Sequence, residues 1–234
     1  DDVESRGLGD VYKRQIFGGS IVLEGSTLNA RQFATQGSRE KMAAQIFTGT
    51  EHFRSGASKV TKDTPEPYKK VQSWLQVSYQ NETYHKVSPK FTLGAYLEAY
   101  YSSRNFSNNY TATLMQAGEF TPTAHSKVTY NEAFRANQYA GVGAMPIYQL
   151  SESFQLRGEF YGFVPIFPIK KDEYGQAYYG KAFTKFEYLG EISLVFQLSF
   201  GSISAYVNHY SSPSNDWNVG LTLGWQLFNS RFIE

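Results

Sequence analysis

The chain has 234 residues, and its 22 Lys and Arg against 21 Asp and Glu leave a formal net charge of +1. That balance gives no electrostatic reason to expect a nucleic-acid partner, and the absence of cysteine excludes disulfides, thiolate zinc sites and cysteine nucleophiles. Charged residues make up only 18% and aromatics 17%, and no run approaches the roughly 20 apolar residues of a membrane-spanning helix, which leaves an all-β chain, either soluble or a membrane barrel.

Taken in chain order, residues 1–15 are set aside first. Residues 5–15 read SRGLGDVYKRQ, a polar, glycine-broken run with no period that joins abruptly to an alternating strand at Phe17. The string resembles a translated sequencing adapter, so 1–15 is expected to be a non-native leader and 16–234 the C-terminal piece of a longer protein.

From Phe17 onward, period-2 alternation predicts eight strands, over 17–26, 71–84, 90–102, 134–148, 154–166, 184–199, 202–210 and 217–228. The last is the clearest. Trp217, Val219, Leu221, Leu223, Trp225 and Leu227 share one face, and Asn218, Gly220, Thr222, Gly224 and Gln226 share the other. Over 184–199, Phe186, Tyr188, Ile192, Leu194, Phe196 and Leu198 oppose Lys185, Glu187, Glu191, Ser193, Gln197 and Ser199. Over 154–166, Phe154, Leu156, Phe160, Val164 and Ile166 oppose Gln155, Arg157, Glu159 and Tyr161. Gly141, Gly143 and Pro146 weaken the pattern over 134–148.

Most of these segments are longer than the 5–6 residues of a typical globular strand and suit the 9–11 or so of a tilted membrane strand. The connections run 44, 5, 31, 5, 17, 2 and 6 residues, so long and short take turns. Outer-membrane barrels have this asymmetry, with tight periplasmic turns and free extracellular loops. Tyr100, Tyr101, Tyr148, Tyr210, Trp217, Trp225 and Phe228 fall near strand ends, as interfacial aromatic girdles do.

Catalytic motifs are missing. The nearest approach to G-x-S-x-G is Gly18-Gly19-Ser20-Ile21-Val22, which lacks the last glycine and lies in a strand. His52, His85, His125 and His209 are scattered without metal-ligand spacing and read as surface or interfacial residues. Glu187 and Glu191 share a strand face about 13 Å apart, too far for a glycosidase pair, and read as lumen lining. No catalytic, cofactor or metal site is expected.

Residues 91–234 resemble the C-terminal barrel of Gram-negative patatin-like phospholipases, within the bacterial surface antigen (BamA-type) superfamily. The resemblance rests on Asn108-Asn109-Tyr110-Thr111-Ala112-Thr113-Leu114, Phe120-Thr121-Pro122-Thr123, Phe134-Arg135-Ala136, Arg157-Gly158-Glu159-Phe160-Tyr161, Trp217-Asn218-Val219-Gly220 and Phe232-Ile233-Glu234. It implies an antiparallel transmembrane β-barrel of about eight strands, the C-terminal half of a sixteen-stranded barrel. It also implies a parent enzyme whose Ser–Asp lipase domain and N-terminal barrel half are missing here. This chain would then be a non-catalytic anchor or translocator in a Gram-negative outer membrane, in contact with outer-membrane lipid and with the barrel assembly machinery.

The superfamily folds an Arg-Gly-aromatic loop motif into the lumen against an acid on the next strand. Phe134-Arg135-Ala136 stands where that motif belongs, with Ala136 in place of glycine, so Arg135 is expected to pair with Glu159. Asn218, Gly220, Leu223 and Trp225 resemble the terminal-strand signal read by the assembly machinery. Two other readings stay open: a self-contained small outer-membrane barrel serving as pore or adhesin, and a soluble β domain that binds a ligand.

Overall fold

The computed structural model describes residues 11–54, 68–107, 109–212 and 217–225. The strands are β1 (Val11–Ser26), β2 (Gly37–Arg54), β3 (Tyr68–Ser88), β4 (Phe91–Ser102), β5 (Gly118–Glu119), β6 (Arg135–Ala136), β7 (Gln138–Gln149), β8 (Phe154–Pro165), β9 (Ile169–Lys171), β10 (Ala177–Tyr179), β11 (Glu187–Leu198), β12 (Gly201–Tyr210) and β13 (Trp217–Trp225). One short helix, α1 (Tyr110–Gln116), follows β4. Nine of the strands form one antiparallel sheet in the order β1-β2-β3-β4-β7-β8-β11-β12-β13, while β5-β6 and β9-β10 are separate ribbons. The chain is all-β and antiparallel.

The sheet has nine long strands where the alternation predicts eight. The additional one is β2, inside the supposed 44-residue connection. Its sequence places Arg39-Glu40-Lys41 beside Met42-Ala43-Ala44, so neither face reads as cleanly apolar. Only pairing with β1 and β3 along its whole length reveals it. β1 itself begins at Val11, so residues 11–15 of the stretch set aside as a leader continue that strand. The seventh strand starts at Gln138 rather than 134, because Phe134 closes a 3₁₀ turn and Arg135–Ala136 pairs with β5. Residues 226–228 and 232–234 lie outside the described residues.

With nine strands the loop asymmetry persists. Connections 27–36, 89–90, 150–153 and 199–200 share one end of the sheet, and the long segments 103–137 and 166–186 share the other.

Burial runs opposite to that of a soluble sheet. Along β8, Gln155, Arg157, Glu159, Tyr161 and Phe163 are buried, while Phe154, Leu156 and Phe160 are exposed. In β11, Glu191, Ser193 and Val195 are buried and Tyr188, Ile192 and Leu194 exposed. The exposed face continues through Phe17, Ile21, Ile46, Val71, Leu97, Val142, Ile203 and Leu221, and no described segment packs over it. From β3 to β12 the opposite face is covered by segments 27–36 and 103–137. There Phe120 and Phe134 join Tyr96, Tyr139, Tyr161, Phe163 and Tyr210 in an aromatic cluster.

Segment 27–36 also reports on curvature. Thr27 N–H to Ser38 O and Asn29 N–H to Gln36 O prolong the β1–β2 pairing, so Gln32 stands three residues beyond it. Three residues reach about 11 Å. In a flat sheet β12 would lie six spacings from β2, about 29 Å at about 4.8 Å each. Yet Ser202 on β12 donates to Gln32 Oε1 at 3.0 Å, and Gln155 on β8 and Gln197 on β11 donate to Phe33 O at 3.2 and 3.3 Å. The sheet is therefore strongly curled, with β1 and β2 brought toward β12.

Close fit on the covered face depends on small residues beneath rings. A Cβ at Gly141 would overlap the Phe120 ring, and one at Gly143 the Tyr161 ring on the neighbouring strand, whereas Gly19 on the open face has free space. Gly141→Ala is expected to cost about 1–3 kcal/mol through forced repacking. Gly19→Ala should stay within about 0.5 kcal/mol. Denaturation midpoints of the two variants check this.

Candidate functional site

The covered face and the segment that fills it hold most of the buried chemistry. The first regular element of segment 103–137 is α1, capped by Asn109, whose side-chain oxygen accepts from Ala112 N at 2.6 Å. It then runs through β5, two 3₁₀ turns and β6. Phe120 packs edge-on to Tyr96, Tyr139 and Tyr161 with ring centroids 6.0–6.3 Å apart, and stacks on Phe163 at 5.5 Å. Phe134 meets Phe163 and Tyr210. Burying two phenylalanines is worth about 1.5–3 kcal/mol each, so these rings anchor the segment.

Arg135 and Glu159 are not brought together. Arg135 Nη2 pairs with Glu119 Oε2 at 2.7 Å, its Nη1 donates to Leu114 O at 3.3 Å, and its guanidinium lies 4.7 Å over the Tyr130 ring. Glu159 accepts from Arg157 Nε at 3.1 Å and from the Tyr161 hydroxyl at 3.0 Å. Locality explains the exchange. The β5–β6 register sets Glu119 directly opposite Arg135, and Arg157 stands two residues from Glu159 on the same strand face. Ala136 is fully buried and Arg135 has extended backbone, φ −122° and ψ 129°, so the position needs a small side chain and makes no tight turn.

Arg157 was legible only as one polar residue among several, yet it is the central buried cation. It is 2% exposed. Besides Glu159 it donates to Ala34 O at 2.8 Å, to Gln155 Oε1 at 3.3 Å and to the Tyr84 hydroxyl at 3.4 Å. It thereby ties segment 27–36 to β8.

His125 was expected at a surface and is instead buried, 4% exposed. Its Nδ1 lies 2.7 Å from Glu191 Oε1, and its ring stacks on Tyr206 with centroids 3.6 Å apart. Asn208 donates to the other Glu191 oxygen at 3.3 Å. Glu187 lies on the same covered face, 3.2 Å from Lys185 Nζ and hydrogen-bonded to Ser211. No regularity around a lone histidine in a loop signals this; the partner acid is 66 residues away.

On the edge strand β13, Asn218 donates to Asn208 Oδ1 at 3.2 Å and Gly220 sits beneath the Tyr206 ring, both on the covered face. Leu223 points outward and is exposed. Trp225 ends the strand. Among the described residues, no three His, Asp or Glu side chains converge as a metal site.

Two hollows remain. On the open face a shallow apolar depression of about 760 Å³ lies among Phe160, Phe186, Tyr188, Ile192 and Trp217, floored by Gly162 and Gly190. At the long-loop end a cleft of about 450 Å³, part charged and part apolar, is bordered by Tyr110, Glu132, Arg135, Ile169, Lys185 and Glu187. Burial, reinforced by the Glu132 carboxylate, raises the hydroxyl pKa of both Tyr110 and Tyr130, so each stays a neutral hydrogen-bonding group. No family model, no curated protein and no solved structure matches this chain.

The pairing is open to a double-mutant cycle. Arg135→Ala with Glu119→Ala is expected to give a coupling of about 1 kcal/mol or more, and Arg135→Ala with Glu159→Ala less than about 0.5 kcal/mol. Unfolding free energies of the three single and two double variants, against wild type, decide it.

Proposed function

We propose that this chain is part of an antiparallel transmembrane β-barrel in a Gram-negative outer membrane. In this reading it is the non-catalytic anchor or translocator portion of a patatin-like phospholipase. What carries the reading is the inverted burial: charged and polar side chains inside, large apolar ones outside with nothing over them. Exposed apolar patches beyond a few hundred Å² mark interaction surfaces. Here the surface runs along strands of up to 21 residues, which suits acyl chains better than a localised partner. No helix among the described residues is long and apolar enough to cross a membrane, so strands do the crossing in this account.

The curl of the sheet, and connections that apart from 27–36 are short at one end and long at the other, support a barrel wall. β1 and β13 each pair on one side only, and open edges are not tolerated in hydrocarbon. Further strands, seven if the whole has sixteen, would therefore complete the wall from the missing N-terminal half. The barrel assembly machinery would read Asn218, Gly220, Leu223 and Trp225 on β13. A freely conducting pore is less well supported, because segments 27–36 and 103–137 occupy the covered face.

Refolded with phosphatidylcholine vesicles, the chain is expected to float with lipid in a density gradient and to resist carbonate extraction, with the β1 and β13 edges meeting each other or those of a second copy in place of the further strands. A folded monomer left in the aqueous fraction contradicts the proposal. Purified protein is expected to hydrolyse a chromogenic acyl ester no faster than buffer, and turnover that depends on a serine contradicts the anchor role.

A further inference from the structure

The depression on the open face has a definite construction. Residues directly opposite in a ladder share a face, so Gly162 on β8 lies beside Tyr188 on β11, and Gly190 on β11 lies beside Phe160 on β8. Two diagonal neighbours thus lack side chains in a row that is otherwise aromatic or aliphatic. Phe160, Phe186, Tyr188 and Ile192 stand exposed around the two glycines, and His209 and Trp217 close the side toward β13. The hollow of about 760 Å³ falls within the roughly 300–1,000 Å³ of small-molecule sites. No described segment covers it.

Its polarity is graded along the strands. Tyr188, His209 and Trp217 lie at the long-loop ends of β11, β12 and β13. Their rings form a continuous row, with centroids 5.8 Å apart from Tyr188 to His209 and 4.7 Å from His209 to Trp217. Each ring carries a polar group, and such rings favour a boundary between apolar and wet surroundings. Farther from the long loops, Ile192, Leu194 and Leu156 carry none. Glu191 borders the hollow, but its carboxylate is engaged on the covered face by His125 and Asn208. The gradient calls for an amphiphile, apolar along its length with its polar end toward the long loops. A peptide segment fits poorly. The strands beneath are paired on both sides, so its N–H and C=O groups would find no backbone partner. An acyl chain needs none. The hollow also opens directly onto the apolar face that the membrane reading turns toward lipid. Rings on its flanks add contacts that a smooth wall does not offer a chain.

We propose, resting on that membrane reading, that the hollow holds one phospholipid as a resident ligand. An acyl chain lies over Gly162 and Gly190 between Phe160, Phe186 and Ile192, and the headgroup sits at the level of Tyr188, His209 and Trp217.

Gly190 is the position to fill. Its φ is not positive, and an added Cβ would meet the Phe160 ring at an ordinary 3.6 Å, so Gly190→Phe sets a ring into the hollow without forcing its wall. The full chain in dodecyl maltoside micelles is given 1-palmitoyl-2-oleoyl-phosphatidylcholine and examined by native mass spectrometry. One lipid is expected to stay bound to each wild-type chain. Gly190→Phe is expected to lower the lipid-bound fraction at least about fivefold, and the smaller Gly190→Leu about twofold or more. Gly19→Phe adds the same ring to the open face where space is free and should leave binding unchanged. Flotation of every variant with phosphatidylcholine vesicles runs in parallel, and Gly190→Leu carries the comparison if Gly190→Phe does not float. Chains that float but retain no lipid, or retain it equally when Gly190 is filled, overturn the site and leave the membrane reading standing. Wild-type protein left in the aqueous fraction overturns the membrane reading, and the site with it. A dimer dispersed by filling Gly190 overturns the lipid assignment and gives the hollow to a second copy.

Discussion

Charge placed on the inside of a curled sheet has to be neutralised there, and that requirement organises the molecule. Glu159 and Glu191 face each other directly across β8 and β11, both almost fully buried. Two carboxylates so placed repel unless each has its own partner. Arg157 answers Glu159 and His125 answers Glu191. The partners come from different places. Arg157 belongs to the wall and reaches out to hold segment 27–36, whereas His125 arrives on segment 103–137. Filling the interior and satisfying its carboxylates are thus one event, and removing Arg157 would leave Glu159 as an uncompensated buried charge at a cost of about 3–5 kcal/mol.

The outer surface follows from the same inversion. Burying one large apolar side chain gains about 1.5–3 kcal/mol, and the open face leaves at least one exposed on every long strand. A soluble protein would gain by covering them. The curl turns the polar row inward, where the aromatic cluster and the two filling segments satisfy it. The aliphatic row then faces whatever surrounds the molecule, and acyl chains suit it because they ask for no hydrogen bonds.

How much of this was legible in the sequence depended on the range of the interaction. The alternation of β8 and β11 assigned each side chain to its face, since period 2 is a property of the backbone. β2 escaped because Arg39, Lys41 and Gln45 share the covered face with Ala43 and Phe47, a mixture that makes sense only between β1 and β3. Arg135 was singled out only through the resemblance, and the partner it suggested lost to Glu119, which the two-residue ribbon sets opposite Arg135. His125 carried no local signal, because its acid lies on a strand far along the chain.

The most direct test of the account is the environment of alternate residues on one strand. The chain has no native cysteine, so Ile192→Cys, Ser193→Cys and Leu194→Cys can each carry one nitroxide in the vesicle-reconstituted protein. Collision rates with oxygen and with a water-soluble nickel chelate are then read by electron paramagnetic resonance. The account predicts that labels at 192 and 194 collide with oxygen and are shielded from nickel, while the label at 193 is shielded from both. Labels at 192 and 194 that meet nickel as freely as an exposed loop site would contradict it, because the apolar face would then be in water.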